Sequence, residues 1–396
     1  MNTWGHNLRL SIFGESHGAG VGITVDGLPA GLPIDLAAVQ VQMRRRAPGQ
    51  NNWSSPRVEA DEVDILGGIH EGRTTGAPIC GLIRNQNAHS QDYQTHLLRP
   101  GHADWTAWLK HHGHADMRGG GHFSGRLTAP LVFAGALAMQ VLEPKGVRIG
   151  AHISRIGSVT DVGLATGSGS MASDDSMTGA GLAAGGGFAA GDGFAPSPGA
   201  SDFQTAILNV FRQDFPTLDP SAGQRMRQLI EEAHARGDSL GGEIEGAAFG
   251  VPGGLGSPFF DSMESSMASL LFSIPAVKGV AFGLGFDFCS LRGSEANDEL
   301  SVQNGKITAL TNHNGGILGG ITSGMPVGVR VAIKPTPSIA IPQRTVDVAA
   351  MANIIAATRG RHDPCILPRA VVVVEAAMAI CVLDALLAEG PLGVMA

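Results

Sequence analysis

A chain of 396 residues with 57 glycines, four cysteines and a formal net charge of −8 can bury a substantial core, as one large α/β unit or two intertwined halves. The acidic balance argues against general nucleic-acid binding, and Cys80, Cys289, Cys365 and Cys381 are too scattered for a zinc site or a disulfide framework. Asn7, Arg9 and Glu15 interrupt any secretory run after Met1, and Glu375 and Asp384 interrupt the apolar C-terminal stretch as a membrane span. A soluble, cytoplasmic protein that touches neither membrane nor nucleic acid is expected.

Residues 8–13 and 21–25 read as strands around the loop G-E-S-H-G-A-G at 14–20. Asp35 is a suitable N-cap for a helix through Arg46 that ends before Pro48. Residues 63–66 and 78–84 read as further strands, 104–111 as a helix, 124–142 as a longer buried helix, and 147–153 as a strand. From about 158 to 201 the chain is mostly Gly, Ala, Ser, Asp and Thr. That composition buries too little apolar surface to offset its ordering entropy, so a flexible insert is expected there. Helices at 203–214 and 221–236, a strand at 242–250, a helix at 260–272 and a strand at 327–333 follow. Two last helices, at 346–358 and 371–387, flank R-G-R-H-D-P-C.

The chemistry gathers in loops. Arg99 and His102 stand in a Pro/Gly turn, and Arg118, three consecutive glycines, His122, Ser124 and Arg126 follow before the buried helix. Glycines admit a ligand close to backbone N–H groups, and the arginines suit a phosphate or carboxylate. The second stretch is a near miss to the Walker pattern, since Leu127 follows Arg126 where Ser or Thr should follow Lys. His17 lies in the first glycine-rich loop, and Arg44, Arg45 and Arg46 end a helix, where cations suit the dipole. His111, His112 and His114 lack a helpfully spaced carboxylate or thiol, so no metal is expected. Lys334, Thr336 and Ser338 place a cation and two hydroxyls on a proline-stiffened segment, and Asp363 is flanked by Arg361 and His362. These loops suggest one site for a highly anionic ligand. Taken alone they name neither the ligand nor the reaction.

The set resembles the chorismate synthase family. It comprises F-G-E-S-H-G (13–18), V-D-G-L-P (25–29), R-R-R-A-P-G (44–49), S-Q-D-Y (90–93), R-P-G-H-A-D (99–104) and R-G-G-G-H-F-S-G-R-L-T (118–128). S-I-P-A-V-K-G (273–279), N-H-N-G-G-I-L-G-G (312–320), K-P-T-P-S (334–338) and R-G-R-H-D-P-C (359–365) complete it in the family's order. Asn52 stands where many members have arginine, His122 replaces a frequent arginine and Pro275 a frequent asparagine.

The resemblance implies an α+β fold, a three-layer β/α/β sandwich with helices between antiparallel sheets built from two intertwined repeats. It implies one domain over residues 1–396, with the insert inside it, and a homotetramer. The implied reaction is a trans-1,4 elimination of phosphate from 5-enolpyruvylshikimate 3-phosphate, giving chorismate in the shikimate pathway of aromatic amino acid biosynthesis. Reduced FMN is required without net redox change, with NADPH or a separate flavin reductase as electron source. By position, His102 would be the general acid for the leaving phosphate, His17 would protonate or hold the flavin, and Asp363 would help move the C6 proton through the flavin. Arg45, Arg99, Arg126 and Arg361 would bind the substrate's anions. FMN would contact Arg45, His122, Phe123, Ser124, Pro275, Ala276, Gly319, Lys334, Pro335, Thr336, Pro337, Ser338 and Arg361.

Overall fold

The computed structural model describes residues 2–49, 59–86, 94–163, 200–303, 305–358 and 362–390. Its helices are α1 (Leu36–Arg46), α2 (Asp104–Lys110), α3 (Thr128–Leu142), α4 (Ala200–Asn209), α5 (Pro220–Ala235), α6 (Met263–Ser273), α7 (Gly293–Ala296) and α8 (Leu367–Ala388).

Two five-stranded antiparallel sheets enclose the core. The first runs in the order Thr3–Trp4, Arg9–Gly14, Gly20–Asp26, Ile79–Arg84 and Asp64–Gly67. The second runs Val277–Phe282, Val327–Ile333, Gly242–Phe249, Arg148–Ile156 and Val159–Thr160. Alternation decides which face is covered. Val21, Ile23 and Val25 are buried in the first sheet, and Ile153, Ile244, Val329 and Val331 in the second. Between the sheets lie α3, packed on the first, and α8, packed on the second and on α3. The result is the α+β, three-layer β/α/β sandwich expected, with the first sheet drawn from residues 3–84 and the second from residues 148–333.

The two central helices are apolar on every side, as a helix must be when it has no solvent face. α3 together with its flanking turns (Gly125–Lys145) and α8 are long and apolar enough to cross a membrane, and both are largely buried inside the protein. Their close approach depends on Gly135 of α3, where a Cβ would stand 2.4 Å from the Ala376 Cα of α8. The two acids of α8 are satisfied internally. Glu375 accepts from Arg45 at 2.5 and 3.0 Å and from the Ala151 amide at 3.1 Å. Asp384 accepts the amides of Asn7 at 2.7 Å and Leu8 at 2.6 Å, which ties the N-terminal turn to the core.

Most expected elements form within a few residues of their expected ends, and Asp35 does cap α1, accepting from the Ala37 and Ala38 amides. One helix is wrong. Residues 346–358 belong to a hairpin, Gln343–Asp347 paired with Ala352–Ala356. Asp347 accepts the Ala349 and Ala350 amides at 2.9 and 3.0 Å, and Met351 takes a left-handed φ of 49°, so the chain turns back on itself. Leu98 and Val348 then donate to the Val346 and His96 carbonyls, at 3.3 and 3.0 Å, a tertiary pairing that overrides helical propensity. Both ends of the span expected for the insert carry regular structure. Val159–Thr160 pairs with the end of Arg148–Ile156, Asp161 is bonded inside the fold, and α4 begins at Ala200. Residues 164–199, the body of the expected insert, lie outside the described residues.

Candidate active site

The site is built around three glycines that no other residue type could replace at low cost. Gly119, Gly120 and Gly121 all have positive φ, at 59°, 86° and 53°. Their missing side chains leave room for two imidazoles. A Cβ on Gly119 would lie 2.4 Å from the His17 ring, and one on Gly120 would lie 3.0 Å from Cε1 of His102. His17 and His102, 85 positions apart in the chain, therefore flank the same tight turn.

The loop carrying His17 is fastened to that turn. The Ser16 amide donates to the Gly121 carbonyl at 3.1 Å, and His122 Nδ1 donates to the Gly14 carbonyl at 2.7 Å. His122 is thereby committed to the loop. Ser124 accepts the Arg126 amide at 3.3 Å and caps the short turn Gly125–Leu127 ahead of α3, while Phe123 stacks at a tilt on His111. The His111 ring is therefore engaged by packing, and among the described residues no group of three or more possible ligands is placed to hold a metal.

His102 is oriented by Asp104. The Asp104 carboxylate receives His102 Nδ1 at 2.6 Å and a fork from Arg99, Nε at 2.7 Å and Nη2 at 2.8 Å. Burial opposes ionisation of Asp104, but the hydrogen bonds from His102 and Arg99, with the guanidinium charge, outweigh it and hold the carboxyl well below the usual range. With Nδ1–H given to Asp104, the other nitrogen, Nε2, is left on the side of the glycine turn. Arg99 continues to Ser338 Oγ at 3.3 Å, and Lys334 Nζ donates to the Gly101 carbonyl. The segment 334–338 thus closes over the Arg99–His102 turn, with Pro337 against Gly101. Partial burial, and then the charge of Lys278, lower the Lys334 pKa. The Lys334 amide donates to the Ala276 carbonyl at 3.0 Å, which brings Pro275 and Ala276 alongside.

A second charged group adjoins the first. Arg126 is buried against Asp61, lies 3.2 Å from Glu59, and donates to Asn85 Oδ1 at 3.0 Å and the Arg84 carbonyl at 3.2 Å. Asp61 also takes Arg46, at 2.6 and 2.8 Å. Burial lowers the Arg46 pKa to about 10 despite that carboxylate. Arg369 bridges onward, donating to the Arg46 carbonyl at 2.8 Å and to Asp363 at 2.5 Å.

The structure therefore brings His17, His102, Arg99, Lys334 and Ser338 together directly, and connects Arg126 and Asp363 to them through bonded neighbours. Two expected residues stand elsewhere. Arg45 turns to Glu375 and lies 5.4 Å from the Phe211 ring, leaving its neighbour Arg46 to face the charged group. Gly319 sits in the small hairpin of Ile317–Leu318 and Ile321–Thr322, beside the start of α6, with open space where a Cβ would project. Arg361 lies outside the described residues. Asp104 was visible inside R-P-G-H-A-D but carried no expected role. Asp61, Asn85 and Arg369 belong to no expected motif, and only their burial and bonding mark them.

A model of the family described as chorismate synthase matches residues 8–387. A chorismate synthase of Korarchaeum cryptofilum is 44% identical over 385 residues, covering 96% of each chain. One from Aeropyrum pernix is 44% identical over 97% of this chain and 92% of its own. A crystal structure of chorismate synthase superimposes with a TM-score of 0.71 at 28% identity, over 97% of this chain and 93% of that one. Sequence, fold and the ordered loops agree, and the chain belongs to the chorismate synthase family of carbon–oxygen lyases.

Proposed function

We propose that the chain converts 5-enolpyruvylshikimate 3-phosphate to chorismate by trans-1,4 elimination of phosphate, using reduced FMN without net redox change. The observation that carries this reading is the pair of imidazoles, His17 and His102, on either side of one glycine turn with Arg99 and Lys334 beside them. A substrate with two carboxylates and a phosphate needs such a cluster of cations inside an acidic protein. Simple anion binding would need only the arginines and backbone amides.

In this reading Arg99, Arg126 and Arg361 bind the anions, and Arg45 serves the fold through its ion pair with Glu375 on α8. His102, its tautomer set by Asp104, gives a proton from Nε2 to the departing phosphate, and the adjacent guanidinium of Arg99 offsets the charge that develops there. Asp363, held by Arg369, assists removal of the C6 proton. His17, buried beside the turn, holds a proton next to the cofactor.

The segment 334–338 fits a polar, anionic cofactor. Lys334 supplies a cation, Ser338 a hydroxyl, and the Thr336 hydroxyl is buried with no hydrogen-bond partner among the described residues. Lys334, Pro335, Thr336, Pro337 and Ser338, with Pro275, Ala276, His122, Phe123, Ser124 and Arg361, would hold FMN, whereas Arg45 and Gly319 stand away from this segment. When bound, reduced FMN supplies electron density that assists C–O cleavage. NADPH, directly or through a separate reductase, supplies the electrons. The same reading places the enzyme in the cytoplasm as a single-domain homotetramer. Leu300, Val302 and Ile307, which are 66%, 74% and 75% exposed on one hairpin, support association.

The test is an anaerobic assay with 5-enolpyruvylshikimate 3-phosphate and dithionite-reduced FMN, following phosphate. Many phosphates should be released per FMN. Absence of phosphate refutes the lyase reading, and NADPH consumption in proportion to product would indicate an oxidoreductase instead.

A further inference from the structure

Asn85 follows the Ile79–Arg84 strand and falls outside every motif described above. Its side chain is fully engaged, and by two different parts of the site. Nδ2 donates into the loop that carries His17, to the Glu15 carbonyl at 2.9 Å and the Gly18 carbonyl at 3.0 Å. Oδ1 accepts from Nε of Arg126 at 3.0 Å. The Asn85 amide adds a bond to the Ala19 carbonyl at 3.2 Å. These partners fix the amide's orientation, because carbonyls require its NH2 and a guanidinium requires its oxygen.

We propose that Asn85 is a positioning residue, whose carboxamide holds the His17 loop and the Arg126 guanidinium in a fixed relation across the site. The proposal rests on the elimination reading for its catalytic consequence, though not for the geometry. Gly14, Gly18 and Gly20 give the loop little stiffness of its own, so its shape depends on bonds from neighbours. Arg126 is held on its other side by Asp61, Glu59 and the Arg84 carbonyl. Asn85 is where those two supports meet. A carboxylate at this position keeps the contact to Arg126 but turns lone pairs toward two carbonyls, so it releases the loop and spares the arginine. Alanine releases both.

The test compares wild type, Asn85→Asp and Asn85→Ala as full chains, by phosphate release with reduced FMN and by NMR titration of the His17 imidazole, assigned with His17→Gln. Asn85→Asp should lower kcat at least about tenfold with KM within about threefold, as expected of a misplaced group acting in the chemical step. Its His17 titration midpoint should move by about half a unit or more. Asn85→Ala should lower kcat similarly and also raise KM, because Arg126 loses its tether. A folded Asn85→Asp protein with kcat within about twofold of wild type, or with an unmoved His17 midpoint, overturns the proposal. If Asn85→Asp does not fold, Asn85→Ala decides by the same two measures. If wild type releases no phosphate, the elimination reading has failed, and the His17 titration still decides whether Asn85 positions that loop.

Discussion

His152 should make the protein lose stability in mild alkali. Its ring is fully buried on Arg148–Ile156, with Nδ1 3.0 Å from Asp161 and Nε2 3.1 Å from Glu245 on the neighbouring strand. Glu245 in turn stands opposite Arg330, and Asp161 also accepts the Leu218 and Asp219 amides at 2.6 and 2.8 Å. Burial disfavours the imidazolium, but the hydrogen bonds and charges of Asp161 and Glu245 outweigh it and raise the pKa to about 9. Because the folded state holds this proton more tightly than the unfolded chain, the contribution is fully present below the ordinary value of 6.5 and is lost as pH rises through about 9. At 1.36 kcal/mol per unit, that difference is worth about 3 kcal/mol. Urea unfolding of wild type and His152→Gln at about pH 6.5 and pH 9.5 isolates the effect, since other titrating groups are common to both. Wild type should lose about 3 kcal/mol more than the variant over that interval. Equal losses, or an imidazole signal titrating near 6.5, would refute the argument.

His102→Ala should lower turnover at least about a hundredfold, as loss of a general acid does, and Asp104→Asn should lower it by disturbing the tautomer and the Arg99 fork; near-normal steady-state rates for either would contradict the assignment. Asp61→Asn leaves Arg46 and Arg126 buried without their shared carboxylate and should cost about 3–5 kcal/mol in denaturant titrations. A loss below about 1 kcal/mol would mean that the arginines find other partners or water. Gly135→Val puts side-chain atoms into the backbone of α8 and should destabilise by at least about 1–3 kcal/mol, read as a lower urea midpoint with unchanged slope. A wild-type midpoint would show that the helices can separate freely.

The inner strands of both sheets and the central helices were legible because each depends on a pattern the local chain carries, whereas the edge strands Thr3–Trp4, Val159–Thr160 and Val277–Phe282 were not read as strands. Alternation at 21–25 and 327–333, an aspartate before α1, and unbroken apolar runs in α3 and α8 are local signals. The hairpin at 343–356 was not legible, because residues such as Ala349, Ala350 and Met351 favour a helix until Asp347 and the 96–98 segment claim their backbone groups. Arg45 and Arg46 show the same limit at one residue's resolution. A helix turns about 100° per residue, so adjacent arginines with identical chemistry reach opposite surroundings, Glu375 and Asp61.

The amino-acid sequence by itself determined the chemistry on offer: glycine turns, paired arginines and histidines in ordered loops, and two helices with no polar face. Only the tertiary structure decided which of those groups meet. His17 with Gly119, Arg99 with Ser338 and Asn85 with both Glu15 and Arg126 are pairings across long stretches of chain. Local propensity acts over a few residues, whereas these contacts depend on how the sheets and helices pack around a shared core.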